Sequence, residues 1–311
     1  MPTTLFSAPA RLWPAYATAL PRAFAEAGLS VRLLTEAPDP AAVDYIIYAP
    51  GGPLADFRPY TGAKAVLSLW AGVERIVSNP TLTQPLARMV DPALTEGMVE
   101  WVTGHVLRTH LGIDAHLAGQ DGIWRNHITP PLARERGVTV LGLGELGTAC
   151  AAMLAHLNFR VTGWSRSPKA LPGIRCLSGP DGLAQALARA EILVLLLPNT
   201  PETENILNAE TLAQMPKGAV ILNPGRGSLI DDAALLAALD TGQIAQATLD
   251  VFRVEPLPAD HPYWGHPKVT VTPHIAAETR PASAARVIAE NIRRSEAGEP
   301  LLYRVDRRRG Y

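Results

Sequence analysis

Val138-Thr139-Val140-Leu141-Gly142-Leu143-Gly144-Glu145-Leu146-Gly147 is the stretch on which the reading of this chain turns. An apolar, strand-like run opens directly onto the pattern G-x-G-x-x-G. The first glycine permits a tight turn, and the second lets backbone approach a pyrophosphate. The third lets helix and strand pack closely, and the phosphates then rest on the positive end of the next helix. The bare glycine pattern is weak evidence. Here it leads into a helical run over residues 148–157, and a second strand ends about twenty residues further on. That context predicts a dinucleotide site built from Gly142, Gly144, Glu145, Leu146 and Gly147. The competing reading, a turn shaped by packing alone, does not require all three glycines.

The second strand ends in Gly163-Trp164-Ser165-Arg166-Ser167-Pro168-Lys169. A site that prefers NAD places an acidic side chain there to bind the ribose 2′-hydroxyl. A carboxylate would repel a 2′-phosphate, whereas a hydroxyl followed by a guanidinium attracts it. Ser165, Arg166, Ser167 and Lys169 therefore predict NADP(H) over NAD(H). The alternative is that Arg166 and Lys169 are solvated surface charges.

Working outward, residues 137–275 repeat a strand–helix rhythm. Strands are expected at 138–141, 160–164, 192–197, 219–223, 247–251 and 269–272, with helices such as 183–190 and 232–239 between them. Gly242 is placed to stop the latter. This alternation predicts a parallel sheet covered on both faces. Earlier in the chain, residues 43–48 read as a strand ended by Pro50-Gly51-Gly52-Pro53, and residues 65–69 as another, followed by Ala71-Gly72. A helical pattern runs from about residue 95 to His110. A loop rich in polar residues, glycine and tryptophan follows, through Gly119, Trp124 and Pro130-Pro131. The helix-like residues 281–297 are expected to return to the first domain, because the dinucleotide domain is complete by then; the alternative is a helix packed on its own domain. The domains expected are residues 1–100 with 281–311, and residues 101–280.

Bulk properties narrow the class. At 311 residues the chain suits two domains, and 47% hydrophobic against 18% charged residues supports a sizeable core. Lys plus Arg number 28 and Asp plus Glu 29, so nothing electrostatic calls for a nucleic acid or an anionic membrane as partner. Two cysteines, Cys150 and Cys176, show no metal-ligand spacing and no disulfide framework, so no metal is expected. The start lacks a signal-peptide pattern, and the longest aliphatic run, residues 192–197, is too short to span a bilayer. A soluble cytoplasmic protein is the expectation.

Three residues follow predicted strand ends, where open α/β sheets hold their ligands. Arg226 lies in Leu222-Asn223-Pro224-Gly225-Arg226-Gly227. Glu255 lies in Asp250-Val251-Phe252-Arg253-Val254-Glu255-Pro256-Leu257, and His274 in Thr272-Pro273-His274-Ile275-Ala276-Ala277. Taken singly, each has an ordinary reading: a surface salt bridge, a solvated carboxylate, a satisfied core histidine. His105, His110 and His261 lack this setting and read as structural or surface residues.

The fixed order of glycine fingerprint, N-P-G-R-G, D-V-F-x-x-E-P-L and T-P-H resembles the D-isomer-specific 2-hydroxyacid dehydrogenase family over nearly the whole chain. Trp164-Ser165-Arg166-Ser167, the segment Leu196-Leu197-Pro198-Asn199-Thr200-Pro201-Glu202-Thr203 and residues 305–311 are most similar to its bacterial glyoxylate/hydroxypyruvate reductase A branch. The resemblance implies an α/β fold of two Rossmann-like, doubly wound parallel-sheet domains with the active site in the cleft between them. The first would be a flavodoxin-like substrate domain and the second the dinucleotide domain. It implies NADPH-dependent reduction of a small 2-keto acid. Arg226 would hold the carboxylate and the carbonyl oxygen with its fork of donors. His274, as imidazolium, would protonate the oxygen on which charge grows. Glu255 would orient the ring and favour its charged form.

The same resemblance places Trp70, Ala71 and Gly72 on the loop whose backbone binds the substrate carboxylate. It puts Asp250 on the nicotinamide carboxamide, and Leu197, Pro198, Thr203, Pro224, Gly225 and Ala276 beside the cofactor. Residues 101–136 match a dimer-forming helix and loop, so a homodimer is expected. Three departures bear on specificity: Trp70 stands where many relatives carry a small or aliphatic residue, Ala276 where many have glycine, and Pro224 where many have alanine. Left open at this point are a related dehydrogenase acting on another 2-keto acid, on phosphoglycerate, on phosphite or on formate, and a nucleotide-sensing binding protein without turnover.

Overall fold

Strands that are buried on both faces can only be the interior of a sheet covered twice, and the central strands of this protein are of that kind. The computed structural model describes residues 1–307 and 310. In chain order they form β1 (Thr3–Ser7), α1 (Trp13–Glu26), β2 (Arg32–Leu34), β3 (Tyr45–Tyr48), β4 (Ala65–Ser68), α2 (Glu74–Val77), β5 (Leu86–Ala87), α3 (Pro92–His110) and α4 (Ile113–Ala118). Then come β6 (Gly137–Leu141), α5 (Glu145–His156), β7 (Arg160–Ser165), β8 (Arg175–Ser178), α6 (Gly179–Leu187), β9 (Ile192–Leu195), α7 (Ala209–Ala213), β10 (Ala219–Asn223), α8 (Asp232–Asp240), β11 (Ile244–Leu249), β12 (Val269–Val271) and α9 (Pro281–Glu296). Short 3-10 turns join several of them.

The chain divides into two compact units, Met1–Leu94 with Glu278–Tyr311, and Thr95–Ala277. The first carries a five-stranded parallel sheet in the order β2-β1-β3-β4-β5. Alternation sorts its side chains: Phe6, Tyr45, Ile47 and Leu67 face one cluster, Leu5, Ile46, Tyr48 and Val66 the other. α1 covers the first face with Tyr16, Leu20, Ala23 and Phe24, and α9 joins it with Ala284, Ala285, Ile288, Ala289 and Ile292. Both sets recur at helical spacing. Removing each large aliphatic side chain of this set from water is worth about 1.5–3 kcal/mol, which is why residues so distant in sequence close on one sheet.

The second unit carries a seven-stranded parallel sheet in the order β12-β11-β10-β9-β6-β7-β8. The order reverses at β6 and β9, the switch point at which doubly wound sheets bind ligands. Val138, Val140, Ile192, Val194 and Leu222 face α3 and α5, while Leu141, Leu193, Leu195 and Ile221 face α6, α7 and α8.

The division falls a few residues before each expected boundary. Met98, Val102 and Val106 of α3 are buried in the second unit's core, so the helix belongs there from Thr95 onward. α4 interrupts a segment expected to be loop. β9 ends at Leu195 and β11 runs Ile244–Leu249, so Leu196, Leu197, Asp250 and Val251 lie on the loops beyond. α6 begins at Gly179, with Pro180 pre-set for a first helical turn. Of residues 305–311, which carried part of the resemblance, 308, 309 and 311 lie outside the described residues. Among the described residues no helix is long and apolar enough to cross a membrane, and no cluster of His, Cys, Asp or Glu could hold a metal ion.

Candidate active site

The glycine loop joins β6 to α5, and each of its glycines meets a different demand. Gly142 has φ 103°, and a Cβ there would stand 2.4 Å from the Leu196 carbonyl oxygen. A Cβ on Gly147 would stand 1.7 Å from the Gly142 carbonyl oxygen, so α5 is seated directly on the turn. Gly144 is the N-cap of α5; it offers no capping side chain, and a Cβ there would meet nothing within 4 Å. The first N–H groups of a helix have no acceptor within it. At Gly144 they border open space, which is the cradle a pyrophosphate needs. Glu145 and Gly144 are exposed and Leu146 is half-buried.

β7 brings Ser165 to the same edge of the sheet. Ser165 is buried, and its hydroxyl donates to the Ser167 carbonyl at 2.8 Å. Arg166, Ser167 and Lys169 are exposed. The Lys169 ammonium donates to the Leu143 carbonyl of the glycine loop, and Thr148 Oγ1 donates to the same oxygen at 3.1 Å. Across the switch point, Thr203 Oγ1 donates to the Pro198 carbonyl at 2.6 Å and ties the loop that carries buried Leu197.

Arg226 follows β10. Asn223 at the strand end holds its loop: the Asn223 side-chain amide donates to the Arg226 carbonyl at 2.9 Å, and its oxygen accepts from Gly225 N–H at 3.1 Å. The role of Asn223 went unread in the sequence, although an Asn before a proline at a strand end signals such a turn. Pro224 and Gly225 are buried beneath, and Arg226 Nη1 donates to the Gly225 carbonyl at 2.7 Å. A Cβ on Gly227 would stand 2.0 Å from the Phe252 carbonyl carbon, so this loop lies hard against the one bearing Glu255.

His274 Nδ1 and Glu255 Oε2 are 2.7 Å apart, with side-chain exposures of 52% and 32%. Glu255 Oε1 accepts from Phe252 N–H at 2.9 Å, which fixes the carboxylate that faces the ring. Asp250, one residue past β11, is buried and accepts hydrogen bonds from the turn that holds His274 and Ala276. Arg226, Glu255 and His274 thus stand on consecutive loops at the C-terminal ends of neighbouring strands β10, β11 and β12.

Other candidates for chemistry fall away. Burial pushes the Cys150 thiol up to about 12, so it supplies no thiolate. Burial also holds His105 and His110 below the usual imidazole range. His261 caps a 3-10 turn through Tyr263 N–H.

In the other unit, Trp70, Ala71 and Gly72 form the loop after β4. Ser68 Oγ donates to the Trp70 carbonyl at 3.0 Å and accepts from Trp70 N–H at 3.1 Å, and Met89 N–H adds a bond to the same carbonyl at 3.1 Å. The Trp70 side chain packs in part on the α1 and α9 cluster.

The family model for the D-isomer-specific 2-hydroxyacid dehydrogenase NAD-binding domain matches residues 104–276. The chain belongs to that family. A D-isomer-specific 2-hydroxyacid dehydrogenase of Xanthobacter autotrophicus Py2, solved with NADPH and MES, is 43% identical; the match covers 100% of this chain and 99% of that one, with a TM-score of 0.91. An NADPH-dependent glyoxylate/hydroxypyruvate reductase of Sinorhizobium meliloti, solved with NADP and sulfate, is 33% identical over 100% of both chains, with a TM-score of 0.89. A probable 2-hydroxyacid dehydrogenase of Rhizobium etli CFN 42, solved with NADP, HEPES and L(+)-tartaric acid, gives the same figures. These findings bear out the fold class and the family read from the motifs.

Gly147→Ala tests the seating of α5. With no room for a methyl group, overpacking should cost about 1–3 kcal/mol of stability and weaken dinucleotide binding by displacing the helix end. Thermal unfolding and a fluorescence titration check both; an unchanged Tm together with an unchanged Kd would contradict the contact.

Proposed function

We propose that the chain reduces glyoxylate and hydroxypyruvate with NADPH, giving the 2-hydroxy acid in the D configuration where the product is chiral. The observation that carries this reading is the His274–Glu255 pair at 2.7 Å, with Glu255 itself held by Phe252 N–H. A half-exposed imidazole braced by a carboxylate on one ring nitrogen has its other nitrogen free to give a proton.

The reduced nicotinamide, when bound, supplies the hydride. Arg226 grips the substrate carboxylate and carbonyl oxygen through its paired donors. By the family resemblance, Trp70, Ala71 and Gly72 of the first unit would supply backbone donors to a substrate carboxylate. His274 releases its proton to the carbonyl oxygen as negative charge develops there. Glu255 keeps the ring in register through its 2.7 Å contact with Nδ1. Gly142, Gly144, Glu145, Leu146 and Gly147 hold the pyrophosphate. Leu197, Pro198, Thr203, Pro224, Gly225 and Ala276 would line the nicotinamide half, and Asp250 would accept from its carboxamide.

Ser165, Arg166, Ser167 and Lys169 take the 2′-phosphate. Lys169 already leans on the Leu143 carbonyl, and a 2′-phosphate would offer its ammonium a charged partner instead. The exposed apolar side chains of Leu111, Leu117, Ile123, Trp124 and Leu132, with Trp124 88% exposed, favour a homodimer through this segment.

Three outcomes are expected. His274→Ala should lower kcat for glyoxylate reduction by roughly 10²–10⁴-fold, the usual worth of a positioned general acid. A kcat within a few-fold of wild type in His274→Ala would exclude the mechanism. Arg166→Ala should cost about 1.5–3 kcal/mol in kcat/KM with NADPH, the worth of a charged hydrogen bond, and leave NADH unaffected. Equal wild-type efficiency with both cofactors would refute the preference. Light scattering at micromolar concentration should return the mass of a dimer, and a stable monomer would refute the assembly.

A further inference from the structure

Asp250 is 1% exposed, and a carboxylate buried that deeply must have its oxygens satisfied. Its partners belong to one short turn, the residues that follow β12. Oδ1 accepts from Thr272 Oγ1 at 2.5 Å and from Ile275 N–H at 3.0 Å. Oδ2 accepts from Ala276 N–H at 2.9 Å. The Asp250 main-chain carbonyl accepts from His274 N–H at 2.8 Å, and Asp250 N–H donates to the Asn223 carbonyl at 3.0 Å. Asp250 therefore grips the turn before His274, at His274 and after it, while anchored to the strand that leads to Arg226.

The gripped residue needs that hold. His274 has φ 54°, in the left-handed region that a non-glycine residue keeps only when its surroundings impose it. The bond to Glu255 cannot impose it alone, because a pair half open to water is a weak constraint. The buried carboxylate is the stronger one, since its hydrogen bonds are charge-assisted and shielded from solvent.

We infer that Asp250 is a positioning residue of the proton donor: its carboxylate fixes the left-handed turn that aims the His274 imidazole at Glu255 and at the substrate carbonyl. The inference rests on the reading of His274 given above. It is separate from the carboxamide contact, because three hydrogen bonds leave one lone pair of Oδ2 uncommitted. Asparagine cannot substitute. Its amide would point a donor at a backbone N–H of the same turn, and the turn would open.

The test compares Asp250→Asn and Thr272→Val, each alone and combined with His274→Ala, in full-length protein. Thr272→Val removes only the Oγ1 bond and keeps the carboxylate, so it carries the test if Asp250→Asn fails to fold. Kinetics with glyoxylate and NADPH, a fluorescence titration with NADPH, and proton NMR of the ligand-free protein are the readouts. Asp250→Asn is expected to lower kcat roughly 10²-fold, the scale of misplacing a catalytic group by an ångström, and Thr272→Val to lower it less. NADPH affinity should hold in Thr272→Val, which leaves the Asp250 carboxylate in place. Thr272→Val should not reduce the residual rate of His274→Ala further, since it acts through the same group. The downfield proton of the His274–Glu255 bond, identified by its absence in His274→Ala, should vanish in Asp250→Asn and weaken in Thr272→Val. For Thr272→Val, losses of equal size in both backgrounds or NADPH affinity falling in step with kcat would overturn the inference, and so would an unchanged NMR proton in Asp250→Asn. If wild-type protein turns over no 2-keto acid, the proposed function fails by itself, and the NMR readout, which needs no substrate, still decides whether Asp250 holds the turn.

Discussion

A methyl group on Gly147 would stand 1.7 Å from the Gly142 carbonyl oxygen, and the dinucleotide-binding unit is organised around that absence. It brings the first turn of α5 down onto the loop that leaves β6, the strand at which the sheet order reverses. The same device recurs along the C-terminal edge of the sheet. Gly142 lies against the Leu196 carbonyl, and Gly227 lies against the backbone of Phe252. Successive loops therefore pack backbone on backbone. The result is a shallow floor of peptide groups, close enough to a ligand for N–H donors to matter and rigid because nothing between the loops can be compressed.

On that floor the charged groups sit in contrasting environments. Asp250 is sealed and engaged on both oxygens, while Glu255 is half-open, with one oxygen on Phe252 N–H and the other on His274. One carboxylate shapes the backbone and the other addresses the ring. The backbone that carries His274 is bonded to Asp250, and its ring nitrogen faces Glu255. Proton donation to a growing oxyanion requires an aligned acid.

Much of this was legible in the sequence, for physical reasons that can be named. β9 is wholly apolar, β10 is apolar up to Asn223 and β6 is interrupted only by the buried Thr139, because both of their faces are covered. β2 and β5 span only Arg32–Leu34 and Leu86–Ala87, too short to show any periodicity. Strand ends were blurred where the apolar pattern continues past the last ladder bond. Leu196 and Leu197 are as hydrophobic as the strand before them, yet they turn away to meet Gly142. The motifs at Arg226, Glu255 and His274 pointed to the family. They did not reveal the bonds from Asn223 to the Arg226 loop or the left-handed φ of His274. Those depend on which backbone groups meet in three dimensions, and a list of residue types does not contain that information.

The proposed reaction moves a hydride between a nicotinamide ring and the C2 carbon of a 2-keto acid. The most direct test is to supply NADPH deuterated at the transferable C4 position together with hydroxypyruvate, and to locate the label in the product. The account predicts one deuterium on C2 of a single D-configured hydroxy acid, with an equal amount of NADP formed. Product without deuterium, or cofactor oxidation with no hydroxy acid formed, would contradict it.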